Sequence, residues 1–95
     1  MAVRIIIDRK VKKGRESSLS KLLRELRLKA IASEGYISGE TLRSSEDPQN
    51  YIVISTWQGV DQWKNWEKNQ ERKKIQAKIE KLMVRPTKTK IYLYA

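Results

Sequence analysis

The sequence predicts a single α+β domain in which strands and helices follow the order β-α-β-β-α-β. Three observations support this prediction. Short runs rich in β-branched and aromatic residues occur at four places, and stretches with helical spacing of apolar residues separate them in the required order. The chain has 95 residues, which is the size of one domain and leaves no room for a second. We therefore treat residues 1–95 as one folding unit.

The first third of the chain predicts one strand and one amphipathic helix. Residues 3–9 are short and rich in isoleucine and valine, which is typical of a strand. Ser17 and Ser18 are good helix-capping residues, and the helix is expected to end near Ser33, with Gly35 as its stop signal. The apolar positions after the serines have helical spacing: Leu19, Leu22, Leu23, Leu26 and Ala30.

The rest of the chain predicts a hairpin, two further helical segments and a last strand. The expected elements are a strand over 36–45, a turn over 46–50, a strand over 51–57, a short helix after Gly59, a longer helix over 70–83 and a strand over 87–95. Pro86 ends the longer helix. This order is the split βαβ arrangement of ferredoxin-like folds. Right-handed crossovers place the helices on one face of a four-stranded antiparallel sheet.

Both faces of the predicted sheet are apolar. On the third strand Ile52 and Ile54 share one face, and the alternate residues Tyr51, Val53, Ser55 and Trp57 share the other. If the isoleucine row packs under the helices, the tyrosine row remains on the other face, and a bulge would exchange the two. In either arrangement a monomer would expose a large apolar patch, so we expect a homodimer that pairs through the sheet.

The composition excludes some ways of stabilising so small a chain. There is no cysteine and no histidine, which rules out disulfides and Cys/His metal sites. Oligomerisation remains as the means of adding to a marginal core. No stretch approaches the length of an apolar membrane span and no secretory signal is visible, so no membrane association is expected. The sequence favours a cytoplasmic location.

The net charge of +10 has two interpretations. One is nucleic-acid binding, and the other is a solvated, lysine-rich surface. RNA-recognition modules of similar topology stack bases on aromatic residues of their central strands, but residues 3–9 contain no aromatic residue and the chain has no phenylalanine. The sequence thus favours the second interpretation. Any nucleic-acid binding is expected to be weak, salt-sensitive and without specificity for sequence.

Three stretches give the chain a family resemblance. They are the run Ser33 to Leu42, the triplet Ser55-Thr56-Trp57, and the series Trp57, Trp63, Trp66 with five and then two residues between. In their order and spacing the chain resembles the antibiotic biosynthesis monooxygenase (ABM) family over essentially its whole length. The resemblance implies a dimeric α+β barrel with a pocket between helices and sheet. Characterised relatives oxygenate quinol-like or polycyclic aromatic substrates, often without metal or flavin, and other relatives degrade haem.

Haem degradation is not expected of this chain. Haem-degrading relatives pair a tryptophan with a haem-ligating histidine ten residues later. Trp66 matches that tryptophan, but Gln76 stands at the position of the histidine. Asp8 lies near the position where those relatives have an asparagine. Without any histidine the chain has no such ligand for the iron, and we expect no cofactor.

The remaining candidates suit a cofactor-free oxygenase, which needs a base and donors for an anion within mostly apolar walls. The resemblance suggests Trp66, Asp8, Tyr51 and Gln76 as catalytic residues, with Trp63, Ile75, Ile79 and Leu23 against the substrate. Further polar candidates are Arg9, Ser38, Glu40 and Arg72. Core packing is the alternative role of the tryptophans, surface ion pairing that of Asp8 and Glu40, and a solvated helix face that of Arg72.

Two functional hypotheses follow. The first is a cofactor-independent monooxygenase that acts on a quinol-like or polycyclic aromatic substrate. The second is a non-catalytic, dimeric module that binds a small ligand and has no base in its pocket. The shape and polarity of the pocket distinguish them, because an enzyme needs an open cavity with a suitable polar group.

Overall fold

The computed structural model describes residues 1–95 and confirms the predicted ferredoxin-like α+β fold. Three helices lie on one face of a four-stranded antiparallel sheet. The elements are β1 (Val3–Lys10), α1 (Glu16–Ile31), β2 (Tyr36–Arg43), β3 (Asn50–Trp57), α2 (Val60–Glu67), α3 (Gln70–Glu80) and β4 (Lys88–Leu93). The strand order is β2-β3-β1-β4, so β1 and β3 are central. No helix in the fold combines the length and the apolar composition that crossing a membrane requires.

Helix ends depart from the sequence prediction at two places. The α1 helix begins at Glu16, and its N-cap residue Arg15 makes no side-chain capping bond, so the predicted serine caps are wrong. The α3 helix ends at Glu80, three residues before Met83, which instead forms an isolated bridge with Val11. A side-chain cap does occur at the start of α3. There the side chain of Asn69 accepts hydrogen bonds from two backbone N–H groups.

The structure decides which face of β3 is buried. Tyr51, Ser55 and Trp57 are buried beneath the helices, whereas Ile52 and Ile54 lie on the other face of the sheet. The β1 strand decides the register. Its alternate residues Val3, Ile5, Ile7 and Arg9 are buried, and they stand directly opposite Trp57, Ser55, Val53 and Tyr51. The sequence left the choice open because both rows of β3 are apolar, so periodicity alone could not choose between them.

The face of the sheet that points away from the helices is here called the outer face. Its apolar residues come from all four strands: Ile6, Leu42, Ile52, Ile54 and Tyr92. Charged residues lie among them, including Arg4 and Asp8 on β1. This face thus carries an apolar strip with charged neighbours, which the helices do not cover.

The hydrophobic core lies between the helices and the inner face of the sheet. Ile5, Leu19 and Ile79 are fully buried there and come from β1, α1 and α3. Trp57 and Trp63 are the largest fully buried side chains. Aromatic and aliphatic groups thus share a core that these elements enclose.

Truncation of Ile5 tests this account of the core. We expect Ile5→Ala to lower the free energy of unfolding by about 2–5 kcal/mol, because it removes methyl groups from a packed interior. Leu28→Ala is the control, since Leu28 is 70 % exposed. It should change stability by less than about 0.5 kcal/mol. Chemical denaturation of both variants is the measurement, and equal effects would contradict the assignment of faces.

Candidate functional site

A cavity of about 60 Å³ lies between α1, α2 and the inner face of the sheet. Every element except β4 contributes to its lining. The apolar wall consists of Ile7, Leu23, Leu26, Ala30, Val53, Tyr36, Trp57, Trp63 and Trp66. Two buried residues with charged side chains, Arg9 and Arg72, also line the cavity. The site is therefore a small aromatic chamber with two guanidinium groups in its wall.

Trp57 holds the aromatic wall together. Its ring meets Tyr36 edge-on at a centroid distance of 5.4 Å and Trp63 at 5.8 Å, and it stacks on Trp66 at 6.3 Å. The indole Nε1 of Trp57 donates to the Ser55 hydroxyl at 3.1 Å, which satisfies its only donor. Aromatic pairs of this kind stabilise a fold by about 0.5–1.5 kcal/mol each beyond their buried area. The wall is therefore a packed cluster of aromatic rings centred on Trp57.

Arg9 is the last inward-facing residue of β1 and is 1 % exposed. Its Nη2 donates to the Gln76 side-chain oxygen at 2.8 Å, while its Nε and Nη1 have no hydrogen-bond partner within the protein. Burial lowers the pKa of Arg9 to about 10, and the nearby charge of Arg72 adds to this effect, whereas Glu80 opposes it. The guanidinium therefore keeps its charge at neutral pH.

Arg72 enters the same cavity from the first turn of α3. It is 7 % exposed, its guanidinium carbon lies 5.4 Å from the centre of the Trp63 ring, and its Nε has no partner within the protein. Burial lowers the pKa of Arg72, and the charge of Glu67 opposes that shift. The sequence-based assignment of Arg72 to a solvated face is wrong. Arg72 shares its stripe with Ile75 and Ile79, three and seven residues on, and that spacing was the signal for its burial.

A network of hydrogen bonds among polar residues holds Arg9 in place. The Gln76 amide that accepts from Arg9 donates to Glu80 at 2.7 Å and to the Thr87 hydroxyl at 3.2 Å. The backbone N–H of Thr87 in turn donates to the Glu80 carboxylate. Gln76 thus fixes Nη2 of the Arg9 guanidinium, whereas Nε and Nη1 of Arg9 have no partner among these residues.

The cavity mouth lies between α1 and β2. Arg27 Nη2 donates to the backbone oxygen of Gly39 at 2.7 Å and joins the two elements. A Cβ atom at Gly39 would stand 2.7 Å from the Tyr36 hydroxyl, so the Tyr36 ring lies close against this glycine and would have to shift to admit a side chain there. Glu40 and Thr41 complete the exposed rim. Ligand pockets typically measure about 300–1,000 Å³, so a ligand with a ring would require these rim side chains to move.

The family is decided by a sequence match. Residues 2–78 match the profile of the family described as "Antibiotic biosynthesis monooxygenase". The chain belongs to this family. No curated protein matches the sequence.

Solved structures show that the ABM fold of this chain is widely shared. A conserved protein from Methanosarcina mazei Go1 superposes with a TM-score of 0.92 at 18 % identity, with 97 % of this chain and 91 % of that chain covered. Rv0793 from Mycobacterium tuberculosis superposes with a TM-score of 0.91 at 15 % identity, with 100 % of this chain and 96 % of that chain covered. SnoaB from Streptomyces nogalater, described as a cofactor-independent oxygenase, superposes with a TM-score of 0.89 at 12 % identity, with 99 % of this chain and 93 % of that chain covered.

The ABM cavity brings together only some of the residues suggested by the sequence. Trp66, Trp63 and Leu23 line it. Tyr51, Ile75 and Ile79 are buried in the core without lining it, and Gln76 reaches it only through Arg9. Three lining residues that were not among the suggested site residues are Tyr36, Trp57 and Arg27. The first two lie within the stretches that carry the family resemblance, which was the available signal.

Asp8 requires a correction, because it lies on the outer face of the sheet. Its carboxylate accepts hydrogen bonds from Arg85 at 3.1 Å and from Asn50 at 2.7 Å. Burial raises the pKa of Asp8, but these two hydrogen bonds together with the charges of Arg85 and Lys88 outweigh it and lower the pKa. Strand alternation explains the position, since Asp8 adjoins the inward-facing Arg9. It is an ion-paired residue that a ligand in the cavity cannot contact. No cluster of three potential metal ligands occurs in the fold.

Replacement of Arg72 tests whether its charge is buried at a cost. We expect Arg72→Met to raise the free energy of unfolding by about 1–4 kcal/mol, the range seen when buried ionic groups are replaced by apolar side chains of similar shape. Lys74→Met is the control on the exposed side of α3 and should change stability by less than about 0.5 kcal/mol. Urea denaturation in a buffer without aromatic or carboxylate anions is the measurement. A destabilised Arg72→Met would contradict this account.

Proposed function

We propose that this ABM domain is a cofactor-independent monooxygenase that acts on a quinol-like or polycyclic aromatic substrate in the cavity. The observation that carries the proposal is the composition of the cavity wall. Four aromatic rings surround a small space, and the buried polar atoms of its wall that have no partner are hydrogen-bond donors. Aromatic faces suit a flat ring, and donors suit the oxygen of an electron-rich substrate. Family membership and the fold shared with SnoaB support the same reaction class.

The reaction balances without an external reductant. An electron-rich substrate carbanion adds O₂ and forms a C–OOH group, and loss of water then leaves a carbonyl. The sum R₂CH₂ + O₂ → R₂C=O + H₂O uses the substrate as the only electron donor. Trp66 is the proposed catalytic residue, since its ring lines the cavity and would orient the flat substrate. Gln76 is a positioning residue that acts through Arg9.

A second candidate function has its own support. The cavity is small, and Glu40 is the one acidic residue in its lining. Glu40 stands opposite Ile54, so its side chain lies on the outer face and no carboxylate enters the cavity. A base for proton abstraction must come within hydrogen-bond reach of the reacting group. These two features favour a non-catalytic module that binds a small ligand. Oxygen consumption separates the two candidates.

Turnover with a panel of reduced quinols tests the monooxygenase. We expect oxygen uptake above the uncatalysed rate with at least one quinol. Trp66→Phe keeps an aromatic ring and most of the packing, and it should lower kcat/KM by about tenfold, because misplacement of the substrate weakens orientation. Trp66→Ala is less suitable, since it would cost about 3–5 kcal/mol of stability if the ring were plain core.

Lys74→Met serves as the control for this experiment and should retain the turnover of the unmodified protein. Oxygen uptake at the uncatalysed rate with every quinol would favour the ligand-binding module. Turnover that is unchanged in Trp66→Phe would contradict the catalytic role proposed for Trp66.

We also propose that the outer face of the sheet forms a homodimer interface. Ile54 and Ile6 stand opposite each other at the centre of this face and are only partly buried in the single chain. Directly beside this pair stand Glu40 on β2 and Lys90 on β4, and the apolar Leu42 and Tyr92 lie diagonally next to it. Burial against a second copy would remove this strip from water and add to the core of a chain of only 95 residues.

The oligomeric state tests the interface. We expect light scattering to give a dimer at micromolar concentration, because obligate interfaces of this kind bury upwards of about 2,000 Å² in total. Ile54→Glu should give a monomer, since it places a charge in the interface. Ile31→Glu is the matched control, because Ile31 lies on α1 and is 53 % exposed. A monomeric unmodified protein would contradict the proposal.

A further inference from the structure

The buried polar atoms of the cavity wall that have no partner are all donors. Arg9 contributes Nε and Nη1, Arg72 contributes Nε, and Trp63 contributes its indole Nε1. The Ser55 hydroxyl accepts from Trp57 and from none of these donors. A ligand in this space must therefore bring acceptors, because nothing in the wall pairs with these donors.

The two guanidinium charges at the cavity have no ion-pair partner. Neither Arg9 nor Arg72 forms an ion pair, since the three salt bridges of the fold join other residues. Glu80 and Glu67 act on them only through their charge, and Glu80 is linked to Arg9 through the Gln76 amide. A water molecule could accept from the donors, but it would leave both charges in an aromatic surrounding of low polarity. An anion both accepts the hydrogen bonds and neutralises the charge.

We propose that the cavity is a receptor for a single oxyanion carried by an aromatic body, with the anionic oxygen bound by the Arg9 and Arg72 guanidinium groups. The aromatic wall formed by Trp57, Trp63 and Trp66 contacts the ring of the ligand. The guanidinium donors bind its anionic oxygen, since hydrogen bonds from a guanidinium to an anionic oxygen are about twice as strong as neutral ones. Two sources supply this chemistry, the carboxylate of an aromatic acid and the ionised hydroxyl of a phenol or quinol.

The bonding around Arg9 shows that its position is built into the fold. Gln76 binds only Nη2 and is itself fixed by Glu80 and Thr87, so the guanidinium is held from the side away from the cavity. This arrangement leaves Nε and Nη1 free. Arg72 approaches from another element and packs on the face of Trp63. Two cations from β1 and α3 thus border one aromatic space.

This inference deepens the proposed function, because it names the charge of the ligand in the same cavity. It concerns binding alone. A receptor for anions would remain if no oxygen were consumed, and oxygenation of a neutral ligand would leave the proposed function intact without it.

Matched anionic and neutral probes test the receptor in the unmodified full chain. Benzoate is compared with benzamide, and 4-nitrophenolate, above the pKa of the phenol, with 4-nitroanisole. Titration calorimetry gives each Kd. We expect at least one anion to bind about tenfold or more tightly than its neutral match, since each hydrogen bond to a charged group contributes strongly. Benzoate in that role identifies an aromatic acid, and 4-nitrophenolate identifies an ionised phenol.

Three variants complete the experiment. Arg72→Met should abolish the preference for the anion, Arg72→Lys should keep part of it, and Lys74→Met should leave it unchanged. Thermal unfolding of each variant verifies that it is folded. Equal affinity for anion and neutral match, a preference that survives in folded Arg72→Met, or no binding of either anion would overturn the proposal.

Discussion

The inward-facing row of β1 ends in an arginine, and the organisation of the site depends on how that guanidinium is buried. Val3, Ile5 and Ile7 precede Arg9 in the row and commit the strand to the core, so strand alternation carries Arg9 inside with them. Within the fold only one of the Arg9 donors, Nη2, has a hydrogen-bond partner, which is Gln76. The remaining donors and the charge face a cavity walled by aromatic rings. A purely structural core has no need of such an arrangement.

Arg72 adds a second buried positive charge beside Arg9, although burial of one such charge already lowers the stability of the fold. Neither guanidinium has a carboxylate partner, although the chain places ion pairs on its surface, such as the one between Asp8 and Arg85. Proteins give up stability at binding sites in this way, because groups that suit a ligand do not suit an empty interior. The tryptophans have both roles at once. They supply most of the buried aromatic volume and also form the surface that a ring would contact.

The sequence was sufficient for the fold because each element carries a clear pattern. The leucine spacing of α1 and the isoleucine run of β1 predict where these two elements lie, although the caps of α1 were predicted wrongly. It was insufficient for the sheet faces, since both rows of β3 are apolar and only pairing with β1 distinguishes them. The site was predicted in part. The tryptophan series marked the cavity, but a basic residue between Glu71 and Lys73 has the composition of a solvated surface, and only its spacing from Ile75 indicates burial.

The central claim is that a buried pair of guanidinium groups creates an anion site inside an aromatic chamber. A crystal structure of the protein soaked in bromide tests it most directly, because bromide is a small anion that can be located by its anomalous scattering and needs no opening of the mouth. The account predicts a bromide ion within hydrogen-bonding distance of both Arg9 and Arg72. Bromide found only beside the exposed lysines, with the cavity holding none, would contradict it.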